Sequence, residues 1–374
     1  MLSDMNKKIV LNKSLLAIIL IGLVYLVSRL YLASISSYGF YHGWNEAHYS
    51  NIAENYFTHS LWYQLYLIGS PAFDGLPPLY SYAVYASFKI FGISDISARG
   101  ISIFSEILAV FSVYLLAREL YDEKTAALLA LIFLFIPWNI LWFGRVQTDP
   151  LMTALMTAAI ALYVYAYVHN KSMLPFGICF GLAVFTKQPA LVILPIVAIW
   201  SYFLGVKKEL LIKGALFAVI GLVPLFMWLS HYLLVGDVSF ISHLVYGELA
   251  HRSAPFADLM KVTVLTAIGI SPLILFFALY ELIKGKKKTN ILYIWLFLYG
   301  VFVIIRTPPS HEYYSLPLTP VFAILAAEGF IKFSNIVVVR KYLPSKAFLF
   351  MFILVISSTI PVTYALLSYS GDLG

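Results

Sequence analysis

The chain reads as an all-α, polytopic bundle of membrane-spanning helices, and three observations predict it. Of its 374 residues 61% are hydrophobic and only 11% are charged, against about 25% charged in an ordinary soluble domain. Apolar runs long enough to cross about 30 Å of hydrocarbon as a helix recur along the whole chain, giving about eleven candidate spans. The alternating segments of about ten residues that mark a membrane β-barrel are absent.

The expected spans cover residues 14–34, 99–118, 125–143, 150–168, 173–187, 189–204, 214–234, 260–283, 291–305, 316–333 and 347–368. The first follows Lys7, Lys8 and Lys13, as a secretory signal would. Its apolar core of about 20 residues exceeds the roughly 7 to 15 of a cleaved signal, so it reads as a retained helix. Residues 35–98 form the longest connection, and within them 79–91 is apolar and aromatic but short. That stretch predicts a helix lying at the membrane interface. Pro195, Pro224, Pro272 and Pro320 fall inside or at the ends of spans, where neighbouring helices can restore the lost hydrogen bond. The whole of 1–374 is expected to form one membrane domain: a first outer loop 35–98, a transmembrane module 99–334 and a final span 347–368.

Placing the N-terminus in the cytoplasm puts most of the 25 Lys and Arg residues on the inner side, including Lys207, Lys208, Lys284 and Lys286 to Lys288. This is the positive-inside bias. It accounts for the net charge of +7 without nucleic acid, and it makes the expected location the plasma membrane with long loops facing outward. Cys179 is the single cysteine, so no disulfide framework or Cys-based zinc site can form.

The outer connections then gather an unusual set of polar residues. The first group is Trp44-Asn45-Glu46-Ala47-His48-Tyr49. If residues 45–56 are helical, Asn45, Tyr49 and Ile52 share one face and Glu46, Ser50 and Ala53 the next, so Asn45 and Glu46 both look toward a cavity. Glu46 would serve as a general base if partly buried, or else is a solvated loop carboxylate. The second group is Gly144-Arg145-Val146-Gln147-Thr148-Asp149-Pro150. Asp149 reads as an N-cap with Pro150 at the first helical position, and Arg145 would pair with it or bind an anion.

A third group is Arg306 to Tyr314, containing His311-Glu312-Tyr313-Tyr314. Ser315 stands where a zinc H-E-x-x-H motif would need its second histidine, so a His-based zinc site is not expected. Lys187 interrupts nearly continuous apolar sequence. It reads either as a snorkelling lysine or as a point charge that joins Arg145 and Arg306 in a cationic pocket for a departing phosphate.

These stretches, with Pro77-Pro78-Leu79-Tyr80, Ala98-Arg99-Gly100-Ile101-Ser102 and Thr186-Lys187-Gln188-Pro189, resemble in order and placement the GT-C glycosyltransferases, in particular the protein O-mannosyltransferase and aminoarabinose transferase branch. Two positions depart from that pattern. The first acid of the family's pair is Asn45 here, and the basic residue that often precedes Pro-Pro-Leu is Leu76.

The resemblance implies a GT-C fold and an inverting transfer of a hexosyl or pentosyl unit from a polyprenyl-phosphate donor to an extracytoplasmic protein, lipid or glycan. Glu46 and Asp149 would be catalytic. Arg145, Lys187, Arg306, His311 and Tyr313 would bind the donor phosphate, and Asn45, Tyr49 and Tyr80 the sugar or acceptor. The residues fix no cofactor and leave a divalent metal open, with Glu46, His48, Asp149 and Glu312 as candidate ligands. The alternatives carried forward are a flippase for lipid-linked sugar and a non-catalytic homologue.

Overall fold

The computed structural model describes residues 13–35, 43–59, 61, 77–121, 123–235, 256–284, 290–306, 311–334 and 360. Regular structure among the described residues is helical, in the order α1 (Lys13–Ile35), α2 (Gly43–Asn55), α3 (Leu79–Phe91), α4 (Asp95–Leu120), α5 (Glu123–Leu134), α6 (Pro137–Trp142), α7 (Thr148–His169), α8 (Leu174–Thr186), α9 (Ile193–Leu204), α10 (Lys208–Gly221), α11 (Val223–Val235), α12 (Phe256–Ile270), α13 (Pro272–Lys284), α14 (Asn290–Arg306) and α15 (Thr319–Ser334). Short 3-10 turns at Gln188–Val192 and Glu312–Leu318 lead into α9 and α15. The expected last span, 347–368, lies outside the described residues apart from Ile360.

Among the described residues four helices are long and apolar enough to cross a membrane: Asp95–Leu120, Thr148–His169, Lys208–His231 and Glu312–Ser334. The chain is an integral membrane protein, with large apolar side chains such as Leu216, Val219, Phe226 and Leu233 exposed on α10 and α11. The short helix expected at 79–91 is observed as α3.

Two expected spans are clearly interrupted, whereas 214–234 steps from α10 to α11 within the continuous stretch Lys208–His231. Residues 260–283 are broken at Ser271, where Thr263–Ile270 and Pro272–Lys284 meet at 96°. Pro272 has no N–H to continue the ladder, and Ser271 adopts a φ of 81°, in the left-handed region where a helix ends. Residues 125–143 are divided between α5 and α6, with Pro137 in the first turn of α6.

The helices pack as a bundle in which α4 lies against α7 and α5, α7 against α8, α8 against α10, and α13 against α15. Small residues allow the closest approaches: a Cβ on Gly181 would run into the Gly221 carbonyl, and one on Gly329 into the Phe277 carbonyl. Without water to expel, such close backbone packing is a principal source of helix association in lipid. The core includes the fully buried Trp138, Trp142, Trp295 and Tyr299, and the Trp138 indole N–H donates to Ser315 Oγ at 2.8 Å.

At the end of the bundle where α1 finishes and α4 and α7 begin, α2 and α3 form a separate small core. Ile52, Ala53, Tyr80, Val84 and Val146 meet there. This core clamps α2 over the turn between α6 and α7, so Asn45 and Glu46 are presented to the bundle rather than to solvent.

Candidate active site

Glu46 is 1% exposed, and its carboxylate is fully engaged. Oε1 accepts from Arg99 Nε at 3.0 Å and from the Val146 backbone N–H at 3.1 Å. Oε2 accepts from Arg99 Nη2 at 3.2 Å and from Arg145 Nη1 at 3.1 Å. A carboxylate has about four lone-pair sites, so these donors leave none open toward an acceptor. The expectation of Glu46 as a proton acceptor therefore meets a carboxylate already committed to organising two guanidinium groups. Arg99 also donates to the Ala33 carbonyl at 3.2 Å, tying the end of α1 to the same cluster.

Arg145 does not pair with Asp149, as the sequence spacing allowed; α2 reaches in and takes it with Glu46. Nor is Asp149 the N-cap of α7. That place falls to Gln147, with extended φ and ψ of −157° and 151° and no side-chain capping bond. The Asp149 carboxylate turns inward instead, because Lys187 offers a charged partner. Lys187 Nζ donates to Oδ1 at 3.0 Å and to Oδ2 at 2.7 Å, and Gln147 Nε2 adds a bond to Oδ2 at 3.2 Å.

Lys187 is 4% exposed and Asp149 0%, so Lys187 is a buried partner and not a snorkelling cation. Its ammonium is further enclosed by the rings of Tyr314 at 4.2 Å and Tyr313 at 5.2 Å, both within cation–π range.

Tyr313 joins the two halves of the site. The Asn45 side chain lies beside its hydroxyl, and its ring meets Trp142 edge-on at 5.4 Å. His311 lies against Tyr313 and Tyr314, at 5.3 and 5.6 Å between ring centroids. Asn45 and Glu46, neighbours on α2, thus reach different residues, Asn45 toward Tyr313 and Glu46 toward Arg99 and Arg145.

Tyr80, expected among the sugar or acceptor contacts, has its hydroxyl spent inside the protein. It accepts from the Gln147 N–H at 2.8 Å and bonds Ser102 Oγ at 2.8 Å, holding the turn that carries Arg145. Tyr49 packs edge-on against it at 5.6 Å and is itself buried. Arg306 ends α14, and its side chain lies outside the described residues. On α3, burial pushes the Tyr82 hydroxyl up to about 12; it is kept as a proton donor, to the Leu61 carbonyl at 2.7 Å.

The formal balance is three cations, Arg99, Arg145 and Lys187, against two carboxylates, Glu46 and Asp149. The site therefore favours an added anion at its centre. Among the described residues no three His, Cys, Asp or Glu side chains come together as a metal cluster. Glu46 and Asp149 in particular are taken by cations.

Arg99, Gln147 and Tyr314 carry this geometry and were not expected at the site. Arg99 was visible as a charge at the start of a span, but nothing in the sequence tied it to Glu46. Tyr314 was visible as the second tyrosine of a pair, without an indication of which ring would face Lys187.

The fold is of GT-C type, as comparison with solved structures shows. ArnT from Cupriavidus metallidurans bound to undecaprenyl phosphate superposes with a TM-score of 0.66 at 19% identity, covering 85% of this chain and 60% of that one. The oligosaccharyltransferase of Archaeoglobus fulgidus in its apo form gives 0.63 at 16% identity, over 95% of this chain and 56% of that one. Archaeal oligosaccharyltransferase AglB from Archaeoglobus fulgidus, in complex with an inhibitory peptide and a dolichol-phosphate, gives 0.58 at 15% identity, over 95% and 55%.

More particularly, residues 76–230 match the family model of dolichyl-phosphate-mannose-protein mannosyltransferase. An uncharacterized protein of Aquifex aeolicus (strain VF5) is 27% identical over 269 residues, 67% of this chain and 52% of its own length. The chain thus spans about half the length of that curated relative. The GT-C fold expected from the order of the motifs is the fold observed.

Proposed function

We propose that the protein is a glycosyltransferase that moves a sugar from a polyprenyl-phosphate carrier to an extracytoplasmic acceptor, with inversion at the anomeric carbon. The observation that carries this reading is the buried, net-cationic shell of Arg99, Arg145 and Lys187 at one end of a GT-C bundle. The undecaprenyl phosphate in the ArnT structure and the dolichol-phosphate in the AglB structure support the donor class. The bias of basic residues toward the other connections supports reading this end of the bundle as extracytoplasmic. The transferred unit is a hexose or pentose, and the acceptor is a protein, lipid or glycan.

In this mechanism the acceptor heteroatom attacks the anomeric carbon as the carbon–oxygen bond to the phosphate breaks. The bonding electrons leave with the polyprenyl phosphate. Arg145 and Lys187, with Arg306 at the end of α14, meet the charge that develops there, and fixed cations in a dry site cost little reorganisation during reaction. A phosphate leaves without prior protonation, so no acid is needed on the donor side. His311 takes the acceptor's proton; imidazole titrates near neutral pH, and the imidazolium formed beside Tyr313 adds a cation facing the phosphate. Glu46 and Asp149 act as positioning residues that fix Arg145 and Lys187. Asn45 and Tyr313 border the space for the sugar, with Tyr49 and Tyr80 supporting the wall behind it.

The test is transfer itself. Purified protein supplied with a labelled polyprenyl-phosphate sugar and candidate acceptors should release polyprenyl phosphate and label an acceptor, and Lys187→Ala should abolish this. Sugar-lipid translocation across vesicles without transfer would assign a flippase, and neither activity would assign a non-catalytic homologue.

A further inference from the structure

We infer that Tyr299 is a positioning residue for the donor phosphate: its hydroxyl takes over from Lys187 on the Asp149 carboxylate when the lysine turns to the phosphate. This deepens the role proposed above for Lys187 and rests on it.

Tyr299 lies within α14, which packs against α9 and against the turn Glu312–Leu318 that carries Tyr314. It is fully buried, and its ring meets Phe302 at 5.3 Å between centroids. The groups beside its hydroxyl are the Asp149 carboxylate, from α7, and the Tyr314 phenol. Yet the hydroxyl finds no hydrogen-bond partner among the described residues. A buried hydroxyl left unmade is costly. Tyr163 shows the ordinary arrangement, with its buried hydroxyl on Ser201 Oγ at 2.7 Å.

The hold of Lys187 on Asp149 accounts for the unmade bond. Lys187 Nζ donates to both carboxylate oxygens, at 3.0 and 2.7 Å, Gln147 Nε2 donates to Oδ2 at 3.2 Å, and Thr148 Oγ1 stands 3.4 Å from the same oxygen. A carboxylate has about four lone-pair sites, so the anion beside Tyr299 is saturated. An ammonium has three hydrogens, and turning them to a phosphate loosens that double hold. A lone pair then opens on the acid, and the phenol O–H fills it. Asp149 thereby keeps a charge-assisted hydrogen bond in place of its cation, which lowers the cost of sending Lys187 to the phosphate. Tyr299 keeps its proton throughout.

The two arrangements differ in what is satisfied. With Lys187 on Asp149 the Tyr299 hydroxyl is unpaired, and with Lys187 on the phosphate it is paired. A group paired in one arrangement alone shifts the balance toward it. Deleting that hydroxyl should therefore leave the fold as stable or more so while weakening donor binding, a combination that a purely structural tyrosine does not give.

The test uses the full chain purified in detergent, followed by thermal unfolding and by binding of a fluorescent polyprenyl phosphate. In Tyr299→Phe the unfolding midpoint should hold or rise, while the dissociation constant rises about tenfold or more, the worth of a hydrogen bond to a charged group. Tyr163→Phe strips a hydroxyl that is already partnered and should do the reverse, lowering the midpoint with affinity unchanged. Lys187→Met frees Asp149 without any lipid. In that background Tyr299→Phe should lower the midpoint by about 2 °C or more, although it does not do so in the wild type.

A lowered midpoint in Tyr299→Phe alone would mean that its hydroxyl is paired while Lys187 holds Asp149, and would overturn the exchange. Unchanged affinity in Tyr299→Phe, or equal effects of that change in the wild-type and Lys187→Met backgrounds, would overturn it too. Failure of the wild type to bind polyprenyl phosphate would count against the transferase reading instead. The unfolding cycle uses no lipid and judges the Tyr299–Asp149 exchange by itself.

Discussion

Lys187 Nζ lies 2.7 Å from Asp149 Oδ2 while the Tyr314 ring covers it at 4.2 Å, a buried cation with one anionic partner and an aromatic wall. Removing one member of such a pair leaves an uncompensated charge, a loss of about 3–5 kcal/mol. Asp149→Asn and Lys187→Met should each destabilise the protein by that order in thermal unfolding in detergent. The double variant should recover most of the loss, because neutralising both partners removes the stranded charge. Purely additive losses would mean that the pair does not act as a unit. Activity should not return with stability in the double variant, since the cation proposed to meet the phosphate is gone.

Glu46→Gln separates a positioning role from proton transfer. The amide still accepts from one arginine but presents an N–H where the carboxylate accepted from another, so Arg145 should swing away. Donor KM should rise and kcat fall, each by about tenfold or more, as expected when an ion pair that fixes a cation is lost. The limbs of the pH–rate profile should keep their positions, because in the proposed mechanism Glu46 carries no transferred proton. Loss of the acidic limb in Glu46→Gln, with its retention in His311→Ala, would return the base to Glu46.

Much of this architecture was legible because membrane helices announce themselves by length and apolarity, and the short helix α3 was legible from the same rule applied in reverse. The break at Ser271 was not. Proline within a span is ordinarily absorbed by neighbours, and nothing local distinguishes Pro272 from Pro320, which sits at the start of α15 without a comparable bend. At the site, Glu46, Asp149, Lys187 and Arg145 could be picked out as charges at the ends of spans. Their pairing could not, since it depends on how deeply α2 inserts, and that is set by the small core of Ile52, Tyr80 and Val146. Arg29 and Glu106 fall as single charges inside the expected spans 14–34 and 99–118, but their partnership is a tertiary fact.

Gly144 is required by Arg29. A Cβ at position 144 would lie 2.9 Å from Arg29 Nη2 and 3.3 Å from its Cζ, and Arg29 is held from the other side by Glu106 and the Ile140 carbonyl. Gly144→Ala should therefore cost about 1–3 kcal/mol, the range for overpacking a filled site. In the Arg29→Lys background, where the planar head is gone, the same change should cost much less. A double-mutant cycle by thermal unfolding measures that coupling, and an equal cost in both backgrounds would place the constraint on the turn itself.

Gly205 and Gly181 make opposite demands on their neighbours, and paired substitutions should tell them apart. Gly205 follows α9 with φ of 63°, and a Cβ there would meet nothing within 4 Å, so only backbone conformation restricts it. Gly205→Ala should cost about 1 kcal/mol, and Gly205→Asn clearly less, because asparagine tolerates the left-handed region. Gly181 faces the Gly221 carbonyl across the α8–α10 contact, and backbone cannot yield as a side chain does. Gly181→Ala should exceed the loss at Gly205→Ala, by parting two helices whose association rests on close approach, and Gly181→Asn should be worse still. Thermal unfolding of the four variants checks the contrast: rescue by asparagine at 205 and aggravation by it at 181.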